Sequence, residues 1–415
     1  MDDIMLRIKK ECTGCMACVN SCPAGAISIT ENEYGFLFPV IDETRCVNCG
    51  LCERVCPIDK LPEGSAQKAF NESDRERTFP VEAWSMYHKS SEVVGISSSG
   101  GAFYALAKSV LDEDGIVYGC FFDINEKRAR LADTDSMPLE ALLTSKYVEN
   151  SIGADGFRRV EKELSKGRRV LFCGTPCHTA GLKSYLKRDY ENLLLVDFAC
   201  GGVAAQPYLS DYIERLEKKY DSKVKRISFR DKYYGWGQYC FLAEFENGEI
   251  YRKTAMADPY FFSFLRSSMQ RLSCHGCHFS DDHKSDISLS DFWRCDHFDV
   301  DGNARKGLSL VLVFSEKGKA ALRAVSDVMH MEQLPVDKAS YQLSPRYCPE
   351  EKLSEIERDM KMAYLDGVEV LRNNLLTKEQ REAFDERQRI MDDPVLAAEN
   401  PDIVGTGQIV PVRFQ

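Results

Sequence analysis

Two runs of cysteine carry the most specific chemistry in the chain. Cys12, Cys15, Cys18 and Cys22 stand before Pro23, and Cys46, Cys49, Cys52 and Cys56 stand before Pro57, each run spaced C-x2-C-x2-C-x3-C-P. Closely spaced thiolates bend a short loop around one face of an iron–sulfur cube, while the fourth cysteine of such a run crosses to the other cube. The spacing therefore assigns one 4Fe-4S cluster to Cys12, Cys15, Cys18 and Cys56, and a second to Cys46, Cys49, Cys52 and Cys22. Structural zinc sites use C-x2-4-C pairs separated by a longer loop, without a repeated third cysteine or the Pro, so zinc fits this stretch poorly.

Between the runs, Ala26–Ile29 and Tyr34–Ile41, with Gly35 and Pro39, read as a small hairpin covering the cubes. Residues 1–60 resemble a bacterial-type ferredoxin carrying two 4Fe-4S clusters. Such clusters only pass single electrons, so the rest of the chain must supply their source or destination.

A second set of cysteines falls in turns at the ends of regular elements. Arg169–Phe172 reads as a strand running into Cys173-Gly174-Thr175-Pro176-Cys177-His178, after which Thr179–Lys187 is helical. Gly174 permits the bend, Thr175 can cap, Pro176 suits the first helical position, and the helix N-terminus would stabilise a thiolate on Cys177. Leu193–Phe198 is an apolar strand ending at Ala199-Cys200-Gly201-Gly202, at the carboxyl edge where α/β sheets place ligands. Pro259–Gln270 reads as a helix delivering Cys274-His275-Gly276-Cys277-His278. That motif matches a c-type haem attachment, which the absence of an export signal disfavours, and zinc held by Cys274, Cys277 and two of His275, His278, His283 and His297 is a further reading. The reading preferred here brings Cys177, Cys200, Cys274 and Cys277 together as the ligands of a third 4Fe-4S cluster. Cys120, Cys173, Cys240, Cys295 and Cys348 lie mostly in apolar or strand-like runs and read as core residues.

An anion site is suggested by Gly95-Ile96-Ser97-Ser98-Ser99-Gly100-Gly101, which follows the strand Val81–His88 and opens the helix Ala102–Leu111. Backbone N–H groups and the helix dipole favour a phosphate there, from a flavin or a nucleotide, although Ser-Gly runs also simply cap helices.

Taken together, Ser98-Ser99-Gly100-Gly101, Ser145-Lys146-Tyr147-Val148, Gly174-Thr175-Pro176-Cys177, Cys200-Gly201-Gly202, Cys274-x2-Cys277 and Asp286-Ile287-Ser288 leading to Asp291-Phe292-Trp293 resemble the beta subunit family of coenzyme F420 hydrogenases and dehydrogenases over roughly residues 80–320. The resemblance implies FAD, contacted by Ser98, Ser99, Gly100, Gly101, Lys146, Gly174 and Thr175, with Lys146 and Asp291 as catalytic candidates. Two positions depart from the family pattern: His178 stands where Gln is expected, and Ser290 precedes Asp291 where Gly is expected. Both lie beside the expected flavin, which leaves the two-electron partner open: F420 or a small organic substrate such as a sugar or tetrapyrrole derivative.

The elements that must position these residues give a mixed α/β (α+β) chain of 415 residues. We expect a ferredoxin-type domain over 1–60, a polar linker over 61–80, two parts of one α/β flavin domain over 81–160 and 161–350, and a helical C-terminal extension over 351–415. Three strands with a hairpin at Glu246–Glu249 fall within 223–253, and Leu308–Phe314 reads as a core strand. A hydrophobic fraction of 44% suffices for a core, and a net charge of −11 argues against nucleic acid or an anionic membrane. With neither a signal peptide nor an apolar run long enough to span a bilayer, the expected location is the cytoplasm. The function expected is an iron–sulfur flavoprotein oxidoreductase exchanging electrons with a partner protein or soluble ferredoxin. The alternative is a non-catalytic electron-transfer subunit without flavin, docking to a separate reductase.

Overall fold

The computed structural model describes residues 11–58, 78–295, 306–344, 346, 349–400 and 403. Most of the expected 61–80 linker, together with His297 and Cys348, lies outside the described residues.

At the N-terminal end, β1 (Ile27–Glu31) and β2 (Leu37–Ile41) form the expected antiparallel hairpin, Ile27 opposite Ile41. Its turn is organised by Asn32, whose Oδ1 accepts from the backbone N–H of Tyr34 at 3.1 Å and of Phe36 at 2.9 Å, a side chain substituting for backbone partners. The short helices Ala17–Ser21 and Leu51–Arg54 carry the middle of each cysteine run.

The body is built on a mixed sheet that contains β3 (Glu82–His88), β4 (Ile116–Asp123), β5 (Arg128–Asp133), β6 (Val170–Cys173) and β7 (Leu193–Phe198). A separate antiparallel sheet follows, formed by β8 (Val224–Asp231), β9 (Cys240–Phe245) and β10 (Ile250–Thr254). The chain then returns to the large sheet with β11 (Ile287–Asp291), β12 (Ser309–Val313) and β13 (Met329–Leu334), giving the order β13-β3-β12-β11-β7-β6-β4-β5. Strands from 81–160 and from 161–350 thus interleave in one sheet. Its centre, β11-β7-β6-β4, is parallel, and the flanking strands are antiparallel.

That arrangement follows from the sequence. Val170-Leu171-Phe172 and Leu193–Val196 are apolar at every position and buried throughout, as strands covered on both faces must be. The helices Ala102–Leu111, Gly156–Ser165 and Pro176–Leu186 supply the cover. The parallel strands share a carboxyl edge, and at that edge stand Cys120, Cys173-Gly174, Phe198 to Cys200, and Asp291. Side chains scattered over 170 positions of sequence therefore reach one crest, where open α/β sheets bind ligands.

Beyond the sheet, the helices Glu350–Leu365, Val368–Leu375 and Lys378–Asp392 form the expected helical segment. Tyr364 packs on the ferredoxin hairpin near Gly35. Among the described residues no helix is long and apolar enough to cross a membrane.

Candidate iron–sulfur and flavin site

Around Cys15 the structure gathers Cys12, Cys18 and Cys56, and burial first, then these neighbours, push the Cys15 and Cys18 thiols up. This is the set that the crossing pattern assigns to one cube. The raised thiols mark a donor set lacking a compensating cation, which iron supplies on binding as the protons leave. In the second run, Cys52 faces Cys49, and Cys49 is exposed. Cys22 accepts a hydrogen bond at Sγ from the Ala26 N–H at 3.2 Å.

Cys177, Cys200, Cys274 and Cys277 converge on a cavity that Thr13, Ser273 and Glu149 also line. Burial, then the neighbouring thiols, drives Cys177, Cys274 and Cys277 up to about 12. Each turn does a specific job. Pro176 opens the helix Pro176–Leu186, and Thr175 occupies its N-cap with an extended backbone, yet its hydroxyl turns to Cys177 Sγ at 3.1 Å instead of capping the helix. Gly202, at φ 111°, has Gln270 packed where a Cβ would stand, and its N–H reaches Cys200 Sγ at 3.4 Å. The expected helix Pro259–Gln270 stops at Leu265, and a separate short helix, Leu272–His275, carries Cys274.

Two histidines of the zinc reading, His278 and His283, have other partners. His283 Nδ1 pairs with Asp197 Oδ1 at 2.7 Å, and His278 Nε2 points to Glu11 at 4.0 Å. Among the described residues no group of three or more His, Cys, Asp and Glu is arranged around a single ion.

A second cavity, about 400 Å³, opens on the crest of the sheet. It is lined by Ser98, Ser99, Gly101, Lys146, Gly174, Thr175 and Asp291, so seven of the eight expected flavin and catalytic positions meet on one wall. Its size and mostly apolar wall suit a ligand of cofactor size. The cavity shares Asn150, Thr175, His178, Cys200, Gly202 and Val203 with the cavity of the four cysteines. The two are neighbours through a single layer of residues.

Several details differ from expectation. Gly100 does not line the cavity: a Cβ there would meet Met86 O at 2.3 Å and Ser309 N at 2.9 Å, so this glycine is required by sheet packing. Gly101, at φ 90°, is the N-cap of the helix Ala102–Leu111. The serine hydroxyls are engaged by protein, Ser98 Oγ accepting from Ser145 N at 2.8 Å and Ser99 Oγ donating to Leu308 O at 2.7 Å. The Ser99 proton is thus spent on Leu308, whereas the Ser98 hydroxyl still has its proton to offer an anion beside the backbone N–H groups of the helix start.

Asp291 lines the cavity with its oxygens already occupied. Arg230 Nη1 reaches Oδ2 at 2.7 Å, Nη2 reaches Oδ1 at 3.2 Å, and Trp236 Nε1 donates to Oδ1 at 2.9 Å. Its place is that of a fork holder, with three donors fixing both oxygens in position. Lys146 Nζ donates to the carbonyls of Ala141 and Leu143, and burial lowers its pKa. Cys120 and Cys173, expected in the core, line the cavity on either side of Lys146's influence, and burial pushes them up to about 11 and about 12. His178 stands in the wall common to both cavities with its Nδ1 unpartnered, and burial pulls it down to about 4.

Sequence reasoning missed Arg230 and Tyr239, and it quoted Trp293 in a motif without giving it a role. The Arg230 guanidinium sits 4.0 Å from the Tyr239 ring and 5.3 Å from Trp293, and Trp293 stacks on Trp236 at 4.6 Å. No local spacing announces this wall, since its members come from β8, the turn after it and the segment after β11. For Cys120 and Cys173 a signal existed: Cys173 ends β6, and Cys120 follows the part of β4 that pairs in parallel with β6.

Residues 167–338 match the family described as the C terminus of the coenzyme F420 hydrogenase/dehydrogenase beta subunit, and residues 11–60 match the 4Fe-4S dicluster domain. Residues 167–338 are thus related to the coenzyme F420 hydrogenase/dehydrogenase beta subunit. With a dicluster domain at its front, the chain is an iron–sulfur electron-transfer protein of the oxidoreductase type. Ferredoxin-2 of Chlorobaculum tepidum is 44% identical over 59 residues, covering 13% of this chain and 87% of that protein. A protein of the ion-translocating oxidoreductase complex of Methanosarcina acetivorans is 44% identical over 46 residues, which is 11% of this chain and 16% of that protein. Among solved structures, a chain of the xenon-derivatised F420-reducing NiFe hydrogenase complex from Methanosarcina barkeri aligns with 72% of this chain and 93% of its own length, at 17% identity and a TM-score of 0.43.

Proposed function

We propose that this beta subunit relative is an FAD- and 4Fe-4S-dependent oxidoreductase that joins single-electron exchange with a partner protein, or a soluble ferredoxin, to hydride exchange with a two-electron partner, either F420-like or a small organic molecule. The observation that carries the reading is the shared wall: the cavity of Cys177, Cys200, Cys274 and Cys277 and the 400 Å³ cavity have Thr175, His178, Cys200 and Gly202 in common.

Bound in these cavities, the clusters would supply single-electron transfer and FAD the conversion to a hydride. The chain's own residues do the rest. Cys56, Cys177 and Cys277 pack against one small apolar cluster of Ile58, Ala180 and Phe279, which keeps water out between the first cube's ligands and the third site's. The N-terminus of the helix Ala102–Leu111 and the Lys146 ammonium suit an anionic group. Two cations, Lys146 and Arg230, line the large cavity against one carboxylate, Asp291, which Arg230 neutralises. Lys146 is therefore the uncompensated charge in a protein whose net charge is −11, and it is the residue placed to hold an anion. Phe264, Leu265, Tyr239 and Trp293 offer the apolar surface for a flat ring.

Gly101→Val tests the flavin half of this reading. Valine at a φ of 90° is strained, and its Cβ would press on Val93 and His88 within 3.1–3.2 Å. Anaerobically purified Gly101→Val should retain the visible iron–sulfur absorption of the wild type and lose its flavin. A wild-type chain that carries iron and sulfide but binds no added FAD would instead be the non-catalytic electron-transfer subunit.

A further inference from the structure

Arg271 is buried between the ferredoxin segment and the body, and every arm of its guanidinium is engaged there. Nε donates to Cys12 O at 2.8 Å, Nη2 donates to Leu37 O at 3.0 Å, and Nη1 pairs with Glu149. The guanidinium also lies 4.0 Å from the Phe38 ring, and an added Cβ at Gly14 would come within 3.1 Å of Nη1. Neighbouring Ser273 donates to the same Cys12 O at 3.0 Å. Glu149 lines the cavity of the four cysteines, and its Oε2 accepts from the Leu37 N–H at 2.9 Å. One buried ion pair thus spans from the Cys12 turn, in the first ferredoxin cube's ligand set, to the third site.

We propose that Arg271 is a positioning residue that fixes the Cys12 turn and, by its buried charge, raises the reduction potential of the first ferredoxin cluster relative to the second, with Glu149 moderating the effect. Adding one electron to a cluster adds one negative charge, and a cation held in a low-dielectric interior favours that state, while a nearby carboxylate opposes it. Burial pushes the Glu149 carboxyl up, while the Arg271 charge and the Leu37 N–H favour its charged form. Among the described residues, the cations hydrogen-bonded to the second cluster's ligand turns are exposed: Arg54 donates to Cys49 O at 2.8 Å and Arg158 to Cys22 O at 2.9 Å, both where water screens them. The bias makes the first cluster, which packs nearest the third site, the favoured resting place for an electron that enters at the exposed second cluster. The inference rests on the dicluster domain alone, and it stands whether or not the third site binds iron.

The test is a potentiometric titration of the full-length protein above pH 7, followed by the electron paramagnetic resonance signals of the two ferredoxin clusters, with the second as internal reference. Glu149→Gln should move the first cluster's midpoint to a more positive potential and leave the second in place. Arg271→Met should move the first midpoint the other way, and Arg271→Lys, which keeps the charge, should restore it toward wild type. If Arg271→Met does not fold, Glu149→Gln decides. A first midpoint that is unchanged or more negative in Glu149→Gln, or equal displacement of both clusters, would overturn the proposal.

Discussion

Gly181 lies directly against Cys15: a Cβ added to the glycine would come within 2.9 Å of Cys15 Cβ and 3.0 Å of its Sγ. Gly181 is one turn along the same helix from Cys177, a rise of about 6 Å. A single helix therefore offers one end to the third site and one face to the first ferredoxin cube, which is how two ligand sets from opposite ends of the sequence are brought into register.

Gly181→Leu should accordingly displace the ferredoxin segment. Overpacking of this kind costs about 1–3 kcal/mol, and the Cys15 thiolate is the group in the way. The variant should lose iron from the first cluster while the body keeps its fold, as measured by iron content alongside far-ultraviolet circular dichroism. Iron content equal to wild type would show that the two parts are not packed as described.

Asp291 gives a prediction about stability rather than turnover. Arg230 is only 3% exposed at its side chain, and removing one partner of a buried pair leaves the other charge stranded, at about 3–5 kcal/mol. Asp291→Ala should lower the midpoint of thermal unfolding, and Arg230→Met combined with it should recover part of the loss. Additive destabilisation in the double variant would contradict the pairing.

The two cysteine runs, the hairpin between them and the central strands were legible because each is a local signal: fixed ligand spacing, or an uninterrupted apolar run such as Leu193–Val196. The helix Ala102–Leu111 was readable from the Gly pair before it and Asp114-Gly115 after it. The edge strands β5 and β13 were not, because Arg128-Ala129-Arg130 and His330-Met331-Glu332 put charge where an edge tolerates it and weaken the alternation. The site divided in the same way. Cysteines and glycines announce themselves by spacing, whereas Arg230, Arg271 and Glu149 are single charged residues whose burial depends on partners more than 60 positions away. Asp291 was visible as an acidic residue at a strand end, but only its fork with Arg230 reveals that its oxygens are taken.

Stability should also depend on pH through His283. Burial alone would lower its pKa, but Asp197, at 2.7 Å, outweighs that and raises it. A histidine raised on folding contributes stability that is complete below its unfolded pKa of about 6.5 and fades as pH rises through the folded value. The difference in unfolding midpoint between wild type and His283→Asn should therefore be largest in mildly acidic solution and shrink above neutrality. A difference that grows with pH would mean that Asp197 does not hold the charged ring.

The central claim is that Cys177, Cys200, Cys274 and Cys277 bind a third 4Fe-4S cluster beside the flavin cavity, and iron analysis of anaerobically prepared full-length protein tests it most directly. Three such clusters require about 12 iron atoms per chain and two require about eight. Wild-type protein should give the higher value with matching acid-labile sulfide, and Cys200→Ala should fall by about four while the ferredoxin signals persist. Equal iron content in wild type and Cys200→Ala would contradict the account.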